Sequence, residues 1–317
     1  MSSIFLSPEV FVELFLELLL LIVLSFTLLQ TLFILKNYRA DSTTALQYGL
    51  EKKSYLVGVV ISISIIIKIL LVAFFTYSLD ELSLIVPGAM CGAGVIGSNS
   101  YGEPLLLLKL SVVLVSSLWL VLSRADLQAL SCIYFKKKML FFIVIYILIL
   151  GEFLLSLYFY SSIETDNPVL CCSNLYAQSF KDNPIPFSLT KLQLVSLFYT
   201  LYVAVVISAY KQNKTLISLF SAIFVYISYY AVVYFFSAYI YELPTHKCPF
   251  CMLQKEYYYI GYLIYTPMLL GLFYTLGVIF FNFMGYAFKR IILYYTIFVL
   301  ILSSYFIIYI LNNKIFL

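Results

Sequence analysis

The segment Pro244-Thr245-His246-Lys247-Cys248-Pro249-Phe250-Cys251-Met252-Leu253-Gln254-Lys255-Glu256 sets two cysteines three positions apart. Such a pair can close a small, reducible disulfide, and its thiolate form is the nucleophile of thiol–disulfide exchange. Pro249 suits the first position of a helix, where its missing N–H is no loss. Cys248 is therefore expected to cap a helix whose dipole, with Lys247 and His246 alongside, would favour the thiolate. Lys255 follows Cys251 by four residues, which on a helix is the same face. A cation there would stabilise a second thiolate or an anionic adduct with an electron acceptor.

Four other cysteines complete the set. Cys91 lies in the Gly-rich run Met90-Cys91-Gly92-Ala93-Gly94-Val95-Ile96-Gly97-Ser98-Asn99-Ser100-Tyr101-Gly102, where glycine permits close backbone approach. Cys171 and Cys172 follow Asn167-Pro168 in a polar loop. Adjacent cysteines bond to each other only through a strained ring, so Cys91 is a candidate partner for either. Cys132 reads as an ordinary small buried side chain. The plainer alternative for Cys248 and Cys251 is an inert structural disulfide, and for His246 a polar loop residue.

The C-x-x-C with a basic residue four positions on resembles the active site of DsbB-type membrane proteins. These pass electrons from disulfide-making partners to quinone. The resemblance implies redox roles for Cys248 and Cys251 and a quinone contact for Lys255, with Lys where that family usually has Arg. The Cys91 loop is loosely similar to the outer loop of vitamin K epoxide reductases, at a different spacing. Both families are four-helix redox bundles, whereas this chain holds apolar segments for eight helices. About eight residues carry the likeness.

The elements that must hold these residues are set by composition. Of 317 residues, 63% are hydrophobic and 11% charged, and the mean hydropathy is +1.02. A soluble domain carries roughly a quarter charged residues, so a cytosolic enzyme, a nucleic-acid binder and a disordered chain are all excluded. With 19 basic and 15 acidic side chains, the net charge of +4 gives no strongly basic surface. The one His rules out a multi-histidine haem or copper centre.

Spanning helices need about 20 mostly apolar residues. Eight stretches qualify, at about 10–35, 55–79, 104–123, 139–160, 189–210, 215–241, 256–286 and 291–311. The fold class is all-α, a polytopic helical bundle forming a single transmembrane domain over 1–317. The first stretch is long for a signal peptide and has no basic leader, so it is expected to stay as a helix.

Lys and Arg are unevenly shared between the loops. Lys36, Arg39, Lys52, Lys53, Arg124, Lys136, Lys137, Lys138, Lys211, Lys214, Lys289 and Arg290 fall on one side. Lys181, Lys191, Lys247, Lys255 and Lys314 fall on the other. The richer side marks the cytoplasm, so both termini are expected to be extracytoplasmic. Cys91, Cys171, Cys172, Cys248 and Cys251 then share the outer face, where disulfides persist.

Lys68 is near the middle of its apolar stretch, and Glu152 is its expected partner; Lys109 is expected to snorkel outward, and Glu13 and Glu17, which share a face of the first helix, to contact a proton path or to pair with Lys109. Tyr257, Tyr258 and Tyr259, with Tyr226, Tyr229, Tyr230 and Tyr234, could line a slot for a quinone ring, with Tyr258 and Lys255 the cofactor-binding candidates. An interfacial aromatic belt explains the same residues more simply.

The leading expectation is a membrane thiol–disulfide oxidoreductase of the cell inner or cytoplasmic membrane. It would act on a quinone and on an extracytoplasmic thioredoxin-like or thiol partner. The second is a metal-handling or assembly protein holding Cu(I) or Zn(II) through Cys248, Cys251, one of Cys91, Cys171 and Cys172, and His246. The third is a transporter or structural subunit with cysteines that staple loops.

Overall fold

A computed structural model describes residues 3–38, 44–128, 135–164, 168–169, 185–281 and 286–315. Among these the regular structure is helical throughout, with no strand. Eight helices are long and apolar enough to cross a membrane. They are α1 (Pro8–Asn37), α2 (Ala45–Ser83), α3 (Gly102–Gln128), α4 (Phe135–Ser161), α5 (Lys191–Tyr210), α6 (Lys214–Tyr241), α7 (Ile260–Phe281) and α8 (Tyr286–Asn313). The eight apolar stretches of the sequence thus all become helices.

Polar side chains fix where several of them begin. Pro8 opens α1, and Thr44 caps α2 by accepting from the Gln47 amide at 3.3 Å. Thr190 and Gln193 form a reciprocal capping box at the start of α5. Asn213 accepts from the Leu216 amide to start α6, only three residues after α5 ends. Each cap satisfies amides that a helix leaves open at its N-terminus.

The transmembrane domain consists of two compact units. One is Met1–Val86 with Val95–Asn167, and the other is Pro87–Gly94 with Pro168–Leu317. In the first, α1 to α4 pack in a closed ring, each helix against the next and α4 against α1. Its core holds Ile61, Trp119, Phe142 and Ile145, and the Trp119 indole donates to the Lys138 carbonyl at 2.9 Å. This core also contains the charged side chains Glu13, Glu17, Lys68, Lys109 and Glu152, all buried.

In the second unit α5 to α8 close a ring of the same kind. Aromatic residues fill it: Phe198 stacks on Phe224 at 5.4 Å, and Phe224 meets Tyr295 edge-on at 5.1 Å. Among the described residues, three cysteines belong to this unit, Cys248 and Cys251 on the α6–α7 connection and Cys91 in the Pro87–Gly94 segment.

A candidate thiol site

Cys91, Cys248 and Cys251 bring their Sγ atoms within 4.8 Å of one another. Cys91 Sγ and Cys248 Sγ are 3.5 Å apart. That is a van der Waals contact, since a disulfide bond measures about 2.05 Å. All three are buried, at 1%, 4% and 5% exposure. Among the described residues no disulfide is formed. Cys132, Cys171 and Cys172 lie outside the described residues.

The expected helix cap at Cys248 is not what forms. α7 begins only at Ile260, and the connection before it is built of turns. Cys251–Leu253 and Lys255–Tyr257 are separate single 3-10 turns, parted by an extended Gln254. Lys255 therefore does not share a helical face with Cys251, and it is exposed. The helix dipole does not act on Cys248. The reason lies in the carbonyls of the motif, which a helix would use internally and which tyrosine hydroxyls claim instead. Tyr241, the last residue of α6, donates its hydroxyl to the Cys248 carbonyl. Tyr265, in the second turn of α7, donates to the Pro249 carbonyl at 3.0 Å. Tyr258 and Tyr259 then adopt left-handed backbone at φ 53° and 55°, which stops the helix extending back.

Gly261 allows this loop to fold onto the start of α7. A Cβ there would stand 3.0 Å from the Met252 carbonyl. On the Cys91 side, Gly88 has φ +82°, and a Cβ would meet the Val169 carbonyl oxygen at 2.5 Å. The Val169 amide donates to the Pro87 carbonyl at 2.8 Å, and the Gln254 side chain donates to the Met90 carbonyl at 3.3 Å. The second of these bonds ties the Cys91 segment to the C-x-x-C loop.

His246 packs edge-on against Tyr241 at 4.3 Å, and Tyr241 against Tyr257 at 4.6 Å. Burial pushes the His246 pKa below its ordinary value, and negative charge at Cys91 pulls it back up. Its Nε2 is buried with no hydrogen-bond partner. Lys247 lies over the Tyr234 ring at 5.2 Å, and burial, then Lys191, lower its pKa. Burial raises the Tyr257 hydroxyl, with Cys251 and Glu256 adding to the shift. His246 and Lys247, rather than a helix terminus, are the positive or protonatable groups beside the thiols.

Tyr258 is 92% exposed. Tyr226, Tyr229, Tyr230 and Tyr234 form a ladder along α6, with rings 5.1 Å, 5.4 Å and 6.1 Å apart in successive pairs through Tyr230. Tyr226 and Tyr229 are exposed on the outside of the helix ring.

The intramembrane charges pair much as their positions suggest. Lys68 reaches Glu152 at 2.9 Å and also Glu17 at 2.8 Å. Lys109 does not snorkel: it is buried, bound to Glu17 at 2.7 Å, Glu152 at 3.0 Å and Glu13 at 3.3 Å. Three carboxylates reward an inward ammonium more than water beyond the helix end would.

Tyr241 and Tyr265 are the site residues that the sequence conceals, because nothing in their spacing separates them from the other tyrosines among 30. No protein-family model, no curated protein and no solved structure matches this chain.

Proposed function

We propose that the second unit is a thiol–disulfide exchange module of a membrane oxidoreductase, with its thiols on the extracytoplasmic face. The observation that carries this reading is the 3.5 Å approach of Cys91 Sγ to Cys248 Sγ, with Cys251 Sγ in the same group. Starting from a Cys248–Cys251 disulfide, the Cys91 thiolate attacks Cys248 Sγ. The Cys91–Cys248 bond forms, the Cys248–Cys251 bond breaks, and Cys251 leaves as a thiolate. No electrons are gained or lost overall, and the reverse step regenerates the pair. His246, held close to neutral by burial, can take the thiol proton from Cys91. Burial of all three sulfurs confines the exchange to this trio until the loop opens.

The ring of α5 to α8 has the helix count of the quinone-linked enzymes that the C-x-x-C segment resembles. The side chains around the thiols suit an apolar ring. Phe250, Tyr257 and Tyr265 pack at the site and would form its wall, with Lys255 and Tyr258 at the exposed rim. A quinone, when bound, accepts the two electrons and two protons released as the Cys248 and Cys251 thiols become a disulfide. The lysine asymmetry supports reading these residues as lying at the outer surface of a cytoplasmic or inner membrane, where a thioredoxin-like partner would meet them.

A specific observation also favours a metal. Three thiolates about 2.3 Å from a common ion lie about 4 Å apart, and the three sulfurs here fall within 4.8 Å of one another. Three thiolates suit Cu(I) or Zn(II), and His246 falls outside this group of mutually close donors.

One experiment separates the readings. Protein is trapped with an alkylating reagent from native membranes, with and without added quinone, and metal is measured after reducing purification. Quinone-dependent oxidation of Cys248 and Cys251 with no stoichiometric metal supports the oxidoreductase. A pair that never cycles, with one metal per chain, supports the metal site. In Cys251→Ser treated with oxidised glutathione, which supplies the two oxidising equivalents and leaves as glutathione thiolate, a Cys91–Cys248 disulfide accumulates if these two sulfurs exchange as above.

A further inference from the structure

The first unit buries an unequal number of opposite charges. Glu13 and Glu17 on α1 and Glu152 on α4 supply three carboxylates; Lys68 on α2 and Lys109 on α3 supply two ammonium groups. All five side chains are buried within the ring of helices. If every group were ionised, the cluster would carry one uncompensated negative charge in a membrane interior, the most unfavourable place for it. Two carboxylates suffice for two ammoniums. The third must hold a positive charge of its own.

The geometry identifies which one. Glu17 Oε1 and Glu152 Oε1 each lie within 3.0 Å of both ammonium nitrogens. Glu13 touches only Lys109, at the longest distance of the set, 3.3 Å. Its other oxygen is 2.7 Å from the Tyr160 hydroxyl. A hydroxyl can donate to a carboxylate or accept from a carboxylic acid without moving. The Lys109 ammonium also rests over the Phe75 ring at 4.5 Å, so α2 adds an apolar face and no further acid there. A metal cation would have to sit beside two ammonium groups, which repel it. Glu17 Oε2 and Glu152 Oε2 are buried without hydrogen-bond partners, so the cluster holds spare acceptor capacity for a proton that moves inward from Glu13.

We propose that the first unit is a proton-binding centre that carries one exchangeable proton on Glu13. Glu13 stands five residues from the start of α1, and Tyr160 is the penultimate residue of α4. Both sit near one end of the helix ring, about 8 Å along the α1 axis from its first residue. Glu17 lies one turn further along α1, and Glu152 two turns before Tyr160 on α4. With Lys68 and Lys109 they form one cluster, and the protonated carboxyl of Glu13 lies at its edge nearest the helix end. This proposal is independent of the thiol reading.

Infrared spectroscopy of the full chain in nanodiscs tests it through the C=O stretch of a protonated carboxyl. At neutral pH the wild type is expected to show one such band, which shifts in D2O on a timescale shorter than global unfolding. E13Q removes the band and melts close to wild type, because a neutral amide replaces a neutral acid. E17Q and E152Q also lose the band, since Glu13 must then ionise to balance the second lysine. Y160F keeps the band but shifts its frequency. A wild type without the band, a band that survives E13Q or E17Q, or one insensitive to D2O in the folded protein overturns the proposal. Loss of the wild-type band on adding sodium overturns it in favour of a metal cation.

Discussion

Tyr241→Phe tests whether tyrosine hydroxyls, rather than helix formation, shape the thiol loop. The substitution deletes one oxygen and keeps the ring that packs on His246 at 4.3 Å and Tyr257 at 4.6 Å. What is lost is the donor to the Cys248 carbonyl, which sits beside a buried sulfur. Stranding a buried carbonyl costs about 1–3 kcal/mol. If that energy holds the loop shut, loop opening becomes about 5- to 150-fold more frequent, at about 1.4 kcal/mol per factor of ten. The alkylation rate of Cys248 and Cys251 under native conditions reads this directly, because buried thiols react only in the open form. In reduced protein with the other cysteines substituted, the rate is expected to rise by that factor. Thermal melting should fall by roughly 2–12 °C if the loop unfolds with its unit. Tyr265→Phe removes the bond to the Pro249 carbonyl and acts in the same direction. The double variant should show less than the summed effect, since the two bonds brace neighbouring carbonyls. Wild-type alkylation rates in both single variants would refute the reasoning, whatever the melting temperature does. Tyr229→Phe, with an exposed ring, is the control expected to change neither.

Three other outcomes can be checked alongside. Burial holds the His246 pKa below its unfolded value of about 6.5, so the unfolded chain binds the extra proton first. Stability is then fully retained above that pH and declines as pH falls through the window below it; His246→Asn should flatten this slope in melts recorded against pH. Lys138 and Asp126 form a buried pair at 2.6 Å, so Asp126→Asn should destabilise by about 3–5 kcal/mol in denaturant titrations. Gly271→Ala would drive a Cβ into the buried Tyr295 ring. Overpacking of about 1–3 kcal/mol outweighs the helix-propensity gain of about 1 kcal/mol, so its melting temperature should fall.

The membrane architecture was legible because one long-range rule governs it. Apolar runs near 20 residues have no other stable use, and all eight became helices whose ends move by a few residues. The longest extension is at α2, which starts at Ala45, ten residues before the apolar stretch, because Thr44 caps it there. The charge partners were legible for a related reason: in an apolar interior Lys68 has few places to go, and Glu152 was one. The thiol site was legible only in part. Cys248, Cys251 and Cys91 do converge, but their loop is not the helical start that Pro249 suggested. Local spacing describes what a segment would do alone. The carbonyls of Cys248 and Pro249 are instead taken by hydroxyls from two different helices, and such long-range capture leaves no periodic trace.

The π-helical turn Val232–Phe236 inside α6 has a further consequence. A turn of this kind accommodates one residue more than regular helical winding, so every side chain after it is rotated by about 100° relative to an uninterrupted helix. Tyr239, which packs on Phe306 at 4.9 Å, and Tyr241 both lie downstream of it. The surplus residue thus works as a dial setting. Excising a single amino acid between 232 and 236 would let α6 wind evenly and leave the Tyr241 oxygen facing Cys248, because four residues of regular helix sweep about the same angle as five in the wider turn. Winding all five residues tightly would instead swing that oxygen a quarter-turn away and open the clasp on the sulfur-bearing loop.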